Sequence, residues 1–173
     1  HRLRLRPHAK LHKAPLIARL QLQAGAVGVC AQTVAEAEAM GAGGINDVFI
    51  SNEVFSVTKL RRVAALAHQL HVRGGQLAIA VDSSEGVDRL AQAMQLTKAV
   101  IDVFIEIDVG QGRCGLVPDE RVVTLARQIA GRTSMRFAGR HAYHGGAQHL
   151  RTVAERQAAI VAAATKVNDV RRL

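Results

Sequence analysis

Residues 2–9, Arg-Leu-Arg-Leu-Arg-Pro-His-Ala, alternate polar and apolar side chains with period two and predict a first strand. Helical spacing follows from Lys13 to Ala24, with Pro15 in a first turn, where its missing N–H is harmless, and Gly25 as the stop. The same two-beat pattern then recurs. Apolar runs at Ala26–Cys30, Asp47–Ser51, Leu77–Val81, Ile101–Ile107 and Arg136–Ala142 read as strands. Between them lie helical stretches: from a capping box at Thr33 and Glu36 to about Ala42, from Ser56 to about His71, from Ser83 or Ser84 onward, and from Pro118 to about Ala130. A second capping box, Thr152 with Glu155, opens a last helix that runs to the end of the chain.

Six strand-then-helix units with apolar strands and short connections predict an α/β fold with a parallel sheet covered by helices. A (β/α)8 barrel of the TIM type, here in about six of its units, and an open doubly wound sheet both satisfy that spacing. Lys10, Asn52, Glu53, Asp82, Arg113, Tyr143 and His144 all fall at or just beyond the C-terminal ends of strands. A barrel gathers those ends at one mouth, whereas an open sheet spreads them along an edge.

Composition narrows the picture. The chain has 173 residues, enough to bury about 70% of its unfolded surface. It is 49% hydrophobic but only 3% aromatic, without tryptophan, so Ala, Val, Leu and Ile must fill the core. The net charge of +9 raises the question of an anionic ligand, but the one dense cluster is Arg2, Arg4, Arg6, Lys10 and Lys13, and aromatic side chains for base stacking are scarce, which disfavours nucleic acid. Cys30 and Cys114 form no CxxC pair, which argues against a disulfide scaffold or structural zinc and for a reducing, cytoplasmic setting. No apolar stretch reaches the roughly 18 residues of a membrane span. The sequence opens at His1 inside a strand pattern and stops at Leu173 inside a helical one, so it is expected to be a piece of a longer protein.

Several residues bear chemistry. Lys10, at a strand end among other cations, stands where like charge and partial burial favour the free amine that attacks a carbonyl to form a Schiff base, although a basic run is also what a solvated surface presents. Gly110-Gln-Gly-Arg-Cys-Gly115 fits GxGxxG, yet it follows the fifth predicted strand and Pro118 delays the helix; sharp backbone turns that aim Arg113 into the mouth fit better than a dinucleotide fingerprint. His8 and His12 have HxxxH spacing without a helix to carry it. His144 and His149 lie in a loop suited to acid/base work. Cys114 reads as a small packing residue, and Glu53 and Asp82 as helix N-terminal charges.

Taken together, Arg6-Pro-His-Ala-Lys-Leu-His-Lys13, Val27-Gly-Val-Cys30, Ser51-Asn-Glu-Val54, Glu106-Ile-Asp-Val-Gly-Gln-Gly-Arg-Cys-Gly115 and Ala142-Tyr-His-Gly145 resemble the motifs of bacterial D-threonine aldolases, fold-type III pyridoxal 5'-phosphate enzymes grouped with 3-hydroxy-D-aspartate aldolase, D-serine dehydratase and, more distantly, alanine racemase. The resemblance implies that residues 1–173 are part of an alanine-racemase-like (β/α)8 barrel, without the family's C-terminal β domain. It implies pyridoxal 5'-phosphate on Lys10 rather than Lys13, Arg113 and Tyr143 in the cofactor pocket, and His149 as a base near the substrate hydroxyl. It also implies cleavage of a D-β-hydroxy-α-amino acid to glycine and an aldehyde, a divalent metal (Mn, Mg or Zn), and a homodimer. D-serine dehydration and 3-hydroxy-D-aspartate cleavage are alternatives within the family, and an inactive anion-binding fragment is one outside it. The family's glycine-rich phosphate segment and its His-x-Asp or His-x-Cys metal motif are absent from these residues, so no metal ligands are assigned. Arg140-His141 stands where Leu-Gln is usual, bulk and charge expected to perturb the sixth strand.

Overall fold

The computed structural model describes residues 3–172, so Arg2, where the first predicted strand begins, and Leu173, where the last predicted helix ends, lie outside the described residues. Among the described residues five strands, β1 (Val29–Ala31), β2 (Asp47–Ile50), β3 (Gln76–Val81), β4 (Ile101–Glu106) and β5 (Met135–His141), alternate with the helices α1 (Pro15–Gln23), α2 (Val34–Ala42), α3 (Val57–Val72), α4 (Ser84–Met94) and α5 (Glu120–Ala130). A short 3-10 turn (Gly145–His149) and α6 (Val153–Arg172) follow. All neighbours in the sheet are parallel, and their order is the sequence order, β1-β2-β3-β4-β5. A doubly wound sheet needs a reversal of strand order to place helices on both faces. None occurs here; each helix packs on the next along one face, as in the wall of a barrel.

The first predicted strand is reduced to a single bridge. Residues 5–9 run parallel to β1, with Val27 N–H donating to Leu5, Cys30 N–H to Pro7 and Ala9 N–H to Cys30, but the one formal pair is His8 with Cys30. Pro7 has no N–H to give to a ladder, which breaks the segment where the alternation predicted continuity. The helix expected from Lys13 starts at Pro15, because Lys13 has a left-handed backbone (φ 51°) and Ala14 is the extended N-cap. Elsewhere the capping signals hold. Thr33 accepts from Glu36 N–H, Ser83 from Gly86 N–H, and Thr152 from Glu155 N–H while Glu155 reaches back to Thr152. Ser56 occupies the N-cap of α3 without a side-chain bond.

Period-two alternation splits each strand between two environments. Val48, Ile50, Leu77, Ile79, Val81, Val103 and Ile105 join the helices in the main core, whereas Phe49, Ala78 and Ala80 form a separate cluster with Cys30 and Phe104 on the inner face. The register stacks that inner face in layers. Arg6 and Asp47 pair below, at 2.8 and 2.9 Å, with Gln76 donating to Asp47 at 2.6 Å. Arg136 and Asp102 pair near the start of β4 and β5 at 2.7 and 2.8 Å. The small and aromatic cluster sits above, and Ser51, Glu106 and His141 end the strands at the top. A bulge at Val103/Phe104 keeps β5 in phase: Gly139 (φ 138°) lies against the Phe104 ring and His141 pairs with Glu106. The strand expected to be perturbed by Arg140-His141 pairs with β4 as far as His141, its register shifted by one residue at the bulge.

Candidate active site

The strand ends converge on an interior cavity of about 180 Å³. Lys10, His8 and Arg6 line it from the first segment, Cys30 and Gln32 from β1, Ser51 and Asn52 from the end of β2, and Arg113, His141 and Tyr143 from beyond β4 and β5. A larger groove of about 810 Å³ lies on the outer surface between α3 and the turn after α4, lined by Arg61, His68, Gln95 and Lys98 among others. That groove is open and lacks paired acid and base groups, so the chemistry belongs to the interior.

Lys10 is exposed at the cavity and forms no ion pair among the described residues, whereas Lys13 reaches Glu36 at 3.4 Å. Glu36 also accepts from Gln32 N–H at 2.8 Å and closes the α2 capping box, so Lys13 belongs to helix architecture and points to a different partner from Lys10. Beside Lys10, His8 Nδ1 accepts the Lys10 N–H at 3.2 Å, and Ser51 Oγ lies 3.2 Å from Nε2. The Nδ1 contact fixes the tautomer: Nε2–H donates to Ser51, whose hydroxyl donates on to Ala31 C=O at 3.3 Å. Burial, and then the Lys10 charge, hold the His8 imidazole below its ordinary pKa, so it is neutral. Arg6 is held by Asp47, which raises its pKa and leaves its charge compensated.

The opposite wall is organised by Glu106, whose side chain is 3% exposed. His141 Nδ1 lies 2.8 Å from its Oε2, and Arg113 approaches Oε1 at 3.6 Å. Burial opposes the charge of Glu106, but the His141 hydrogen bond and the Arg113 charge together hold its pKa below the usual carboxylate range. The Arg113 guanidinium lies over the Tyr143 ring, 5.0 Å from its centre. The loop that carries Arg113 turns on Gly110, Gly112 and Gly115, all with positive φ, while Asp108 accepts from Gly110 and Gly112 N–H at 2.9 and 3.0 Å. At Gly115 a Cβ would meet Asp108 N at 2.6 Å, so close backbone approach as well as φ demands glycine.

Glu53 and Asp82 are not helix N-terminal charges; Ser56 and Ser83 hold those positions. Asp82 accepts from Gly115 N–H at 3.2 Å, and Glu53 faces Glu106 with one oxygen buried and unpartnered. Burial, then the Glu106 charge, raise the Glu53 pKa. Glu53, Asp82 and Cys114 bring one possible ligand atom each within 4.8 Å of one another. Burial and the neighbouring Glu53 push the Cys114 thiol up, and burial holds the Cys30 thiol at about 11, so both thiols stay protonated. His12 sits in a turn with Nδ1 accepting from Ala14 N–H at 3.1 Å, and no helix joins it to His8. His149 ends the 3-10 turn, exposed, and is not among the cavity-lining residues. Of the other residues singled out in the sequence, His8, Lys10, Asn52, Arg113 and Tyr143 share the cavity; Ser51 and His141 line it beside them and Glu106 holds His141 from behind, through contacts between residues 35 to 43 positions apart that local pattern does not show.

A primary amine without an ion pair among the described residues and a guanidinium on an aromatic ring line one cavity, together with Cys30. That donor set fits a flat carbonyl compound with anionic substituents. No described helix is long and apolar enough to cross a membrane. The chain is 46% identical over 168 residues to a D-threonine aldolase of an Arthrobacter species, a match covering 94% of this chain and 43% of that protein. It is 38% identical to 3-hydroxy-D-aspartate aldolase of Paracoccus denitrificans, covering 98% and 43%, and 32% identical to D-threo-3-hydroxyaspartate dehydratase of a Delftia species, covering 87% and 38%. The crystal structure of D-threonine aldolase from Filomicrobium marinum superposes with a TM-score of 0.92 at 42% identity, covering 97% of this chain and 44% of that one. The chain thus spans less than half the length of each of these relatives. With residues 4–171 matching the family described as "Alanine racemase, N-terminal domain", and the sheet, helices and strand-end cavity arranged as one wall of a parallel barrel, the chain belongs to the alanine racemase N-terminal domain family.

Proposed function

We propose that this chain supplies the lysine and one wall of the active site of a pyridoxal-phosphate-dependent lyase that cleaves D-threonine or a related D-β-hydroxy-α-amino acid to glycine and an aldehyde. The observation that carries the reading is the separation of two neighbouring lysines: Lys13 is tied to Glu36, while Lys10 is unpaired among the described residues and faces the cavity with Arg113 and Tyr143. The similarity to D-threonine aldolases at 46% and 42% identity supports the substrate class. The Paracoccus and Delftia relatives support a second substrate of the same kind, D-3-hydroxyaspartate, cleaved or dehydrated.

When bound, the cofactor supplies an electron sink that takes up the charge left at the substrate α-carbon. The residues of this chain do the rest of the work assigned here. Lys10 would be the residue that holds the cofactor, and its Nζ, when free, is placed to take and return a proton. Neutral His8, oriented by Ser51, keeps a second cation away from that amine. Arg113 supplies a fixed positive charge toward an anionic oxygen of the cofactor, and Tyr143 is the platform that holds the guanidinium flat. His149, exposed and outside the cavity lining, is carried as the base toward the substrate β-hydroxyl by the family resemblance alone; a divalent metal, expected from the family, would act on the same hydroxyl. Two unbridged cysteines support a cytoplasmic setting, and a homodimer is the assembly the family suggests.

The test is borohydride reduction of the protein loaded with pyridoxal phosphate, followed by peptide mapping. A cofactor mass on Lys10 is expected. A label on Lys13, or on no lysine, overturns the reading and favours an anion-binding fragment without turnover.

A further inference from the structure

The segment after β5 that carries Tyr143 has little to hold it. From Ala142 to Gly146, the one backbone N–H with a hydrogen-bond partner among the described residues is that of Gly145. Its partner is a side chain 34 positions away, Gln111, whose Oε1 accepts at 2.7 Å. Gly145 is buried, so without that oxygen its N–H would be cut off from water as well as from protein. Tyr143 rests on the same glycine. A Cβ added to Gly145 would meet the Tyr143 hydroxyl at 2.5 Å and two of its ring carbons at 2.8 Å, so the ring lies directly on the Gly145 backbone. Whatever fixes Gly145 therefore fixes the ring.

Gln111 is itself well anchored. It stands between Gly110 and Gly112, whose φ values of 128° and 66° let the chain fold round Asp108, and the Asp108 carboxylate accepts from both of their N–H groups. Two residues on, Arg113 lays its guanidinium over the Tyr143 ring, 5.0 Å from its centre. The glycine loop thus grips the Tyr143 segment twice, by a neutral side chain on its backbone and a charged one on its ring. A cation over a ring face is tolerant of sliding, whereas a hydrogen bond is directional. We propose that Gln111 is a positioning residue: by accepting the Gly145 N–H it ties the loop that carries Arg113 to the segment that carries Tyr143, and so sets the ring beneath the guanidinium in the cavity. This deepens the proposed function and rests on it for what the two side chains bind, but not for the geometry.

Tyr143 is the single tyrosine and the chain has no tryptophan. The tyrosine band of the near-UV circular dichroism spectrum, with Tyr143→Phe as its blank, therefore reads the order of this ring in the full chain without cofactor. Gln111→Met, as long as glutamine but with no oxygen to accept, is expected to lose most of the band while the far-UV spectrum stays at wild type. Gln111→Glu, whose carboxylate accepts the same N–H, is expected to keep it. In the Arg113→Ala background, where no guanidinium can be drawn to a new carboxylate, the Met and Glu variants should differ in the same way. Affinity for pyridoxal phosphate, measured by equilibrium dialysis, should fall roughly tenfold in Gln111→Met, about one hydrogen bond's worth, and hold within about twofold in Gln111→Glu. Should Gln111→Met fail to fold, Gln111→Asn, one methylene too short to reach Gly145, takes its place with the same expected loss. A wild-type band in the variant without the acceptor, or Met and Glu variants that give the same band in the Arg113→Ala background, overturns the proposal. So does an unchanged affinity in a variant that has lost the band. Because the band needs no cofactor, its failure is separable from the absence of a borohydride label on Lys10, which would overturn the enzyme reading alone.

Discussion

Asp47→Ala removes the acceptor of three hydrogen bonds inside the barrel wall, two from Arg6 and one from Gln76. Breaking a buried ion pair by deleting one partner costs about 3–5 kcal/mol, because the remaining charge is stranded. Here the Arg6 and Asp47 side chains keep 24% and 16% of their surface, so water can reach the guanidinium. Discounting for that access roughly halves the figure, to about 2 kcal/mol, or ~4–8 °C in Tm for a domain of this size. Asp47→Asn, which keeps one acceptor oxygen and the shape, should lose about half as much. Arg6→Met combined with Asp47→Leu should recover most of the loss, since two apolar groups leave no charge to strand. Thermal unfolding followed by far-UV circular dichroism reads all three. An Asp47→Ala protein within about 1 °C of wild type would show that the network is solvated in place and carries no structural weight. A double variant as unstable as the sum of its parts would refute the stranded-charge argument, because it would mean that packing rather than charge was lost.

Two further outcomes follow from the Arg113 loop. Gly115→Ala combines φ 101° with a Cβ 2.6 Å from the Asp108 nitrogen, so it should destabilise by about 3 kcal/mol or more; Gly112→Ala, with φ 66° and open space around it, should cost only about 1 kcal/mol in the same unfolding assay. Asp108 accepts from Gly112 and Gly110 N–H, which lower its pKa, so the stability it contributes is complete above its unfolded value of about 3.9 and is lost as pH falls through its lower folded value. Acid titration of stability should therefore be shallower below about pH 4 in Asp108→Asn than in wild type, and identical slopes would contradict the assignment.

The elements that local chemistry specifies were legible in the chain. Thr33 with Glu36, Ser83, and Thr152 with Glu155 satisfy their own helix starts within three residues, so reading neighbours is enough. Lys10, Arg113 and Tyr143 were legible as strand-end residues for the same reason, and the cavity gathers them. What was not legible is long-range. Glu106 and His141 are 35 residues apart, and only the β4–β5 register, shifted by a bulge at Gly139, brings them opposite each other. Glu53 and Asp82 carry the residue types of helix caps, and nothing local shows that they turn instead toward Glu106 and Gly115. Lys13 reads as the start of a helix because its left-handed backbone has no signature in a side chain other than glycine or asparagine.

The basic character of the chain takes on a different meaning once each cation is placed. Away from the strand ends, two arginines are neutralised in pairs, Arg6 by Asp47 and Arg136 by Asp102, and both have their pKa raised by those partners. Lys13, three residues from Lys10, is bound to Glu36. Charge is therefore compensated at the closed end and released stepwise toward the open one: Arg113 shares Glu106 with His141, and Lys10 shares no carboxylate among the described residues. Of the lysines and arginines that line the cavity, Arg6 is paired with Asp47, so an anion entering from the strand ends meets its positive charge at Lys10 and Arg113. A surface that merely attracted polyanions would have no reason to neutralise its deeper cations so carefully, because each pair below the cavity weakens long-range attraction while sharpening the place at which attraction is strongest. That gradient, rather than the net charge of +9, is what sets Lys10 apart from the rest of the basic run at the start of the chain.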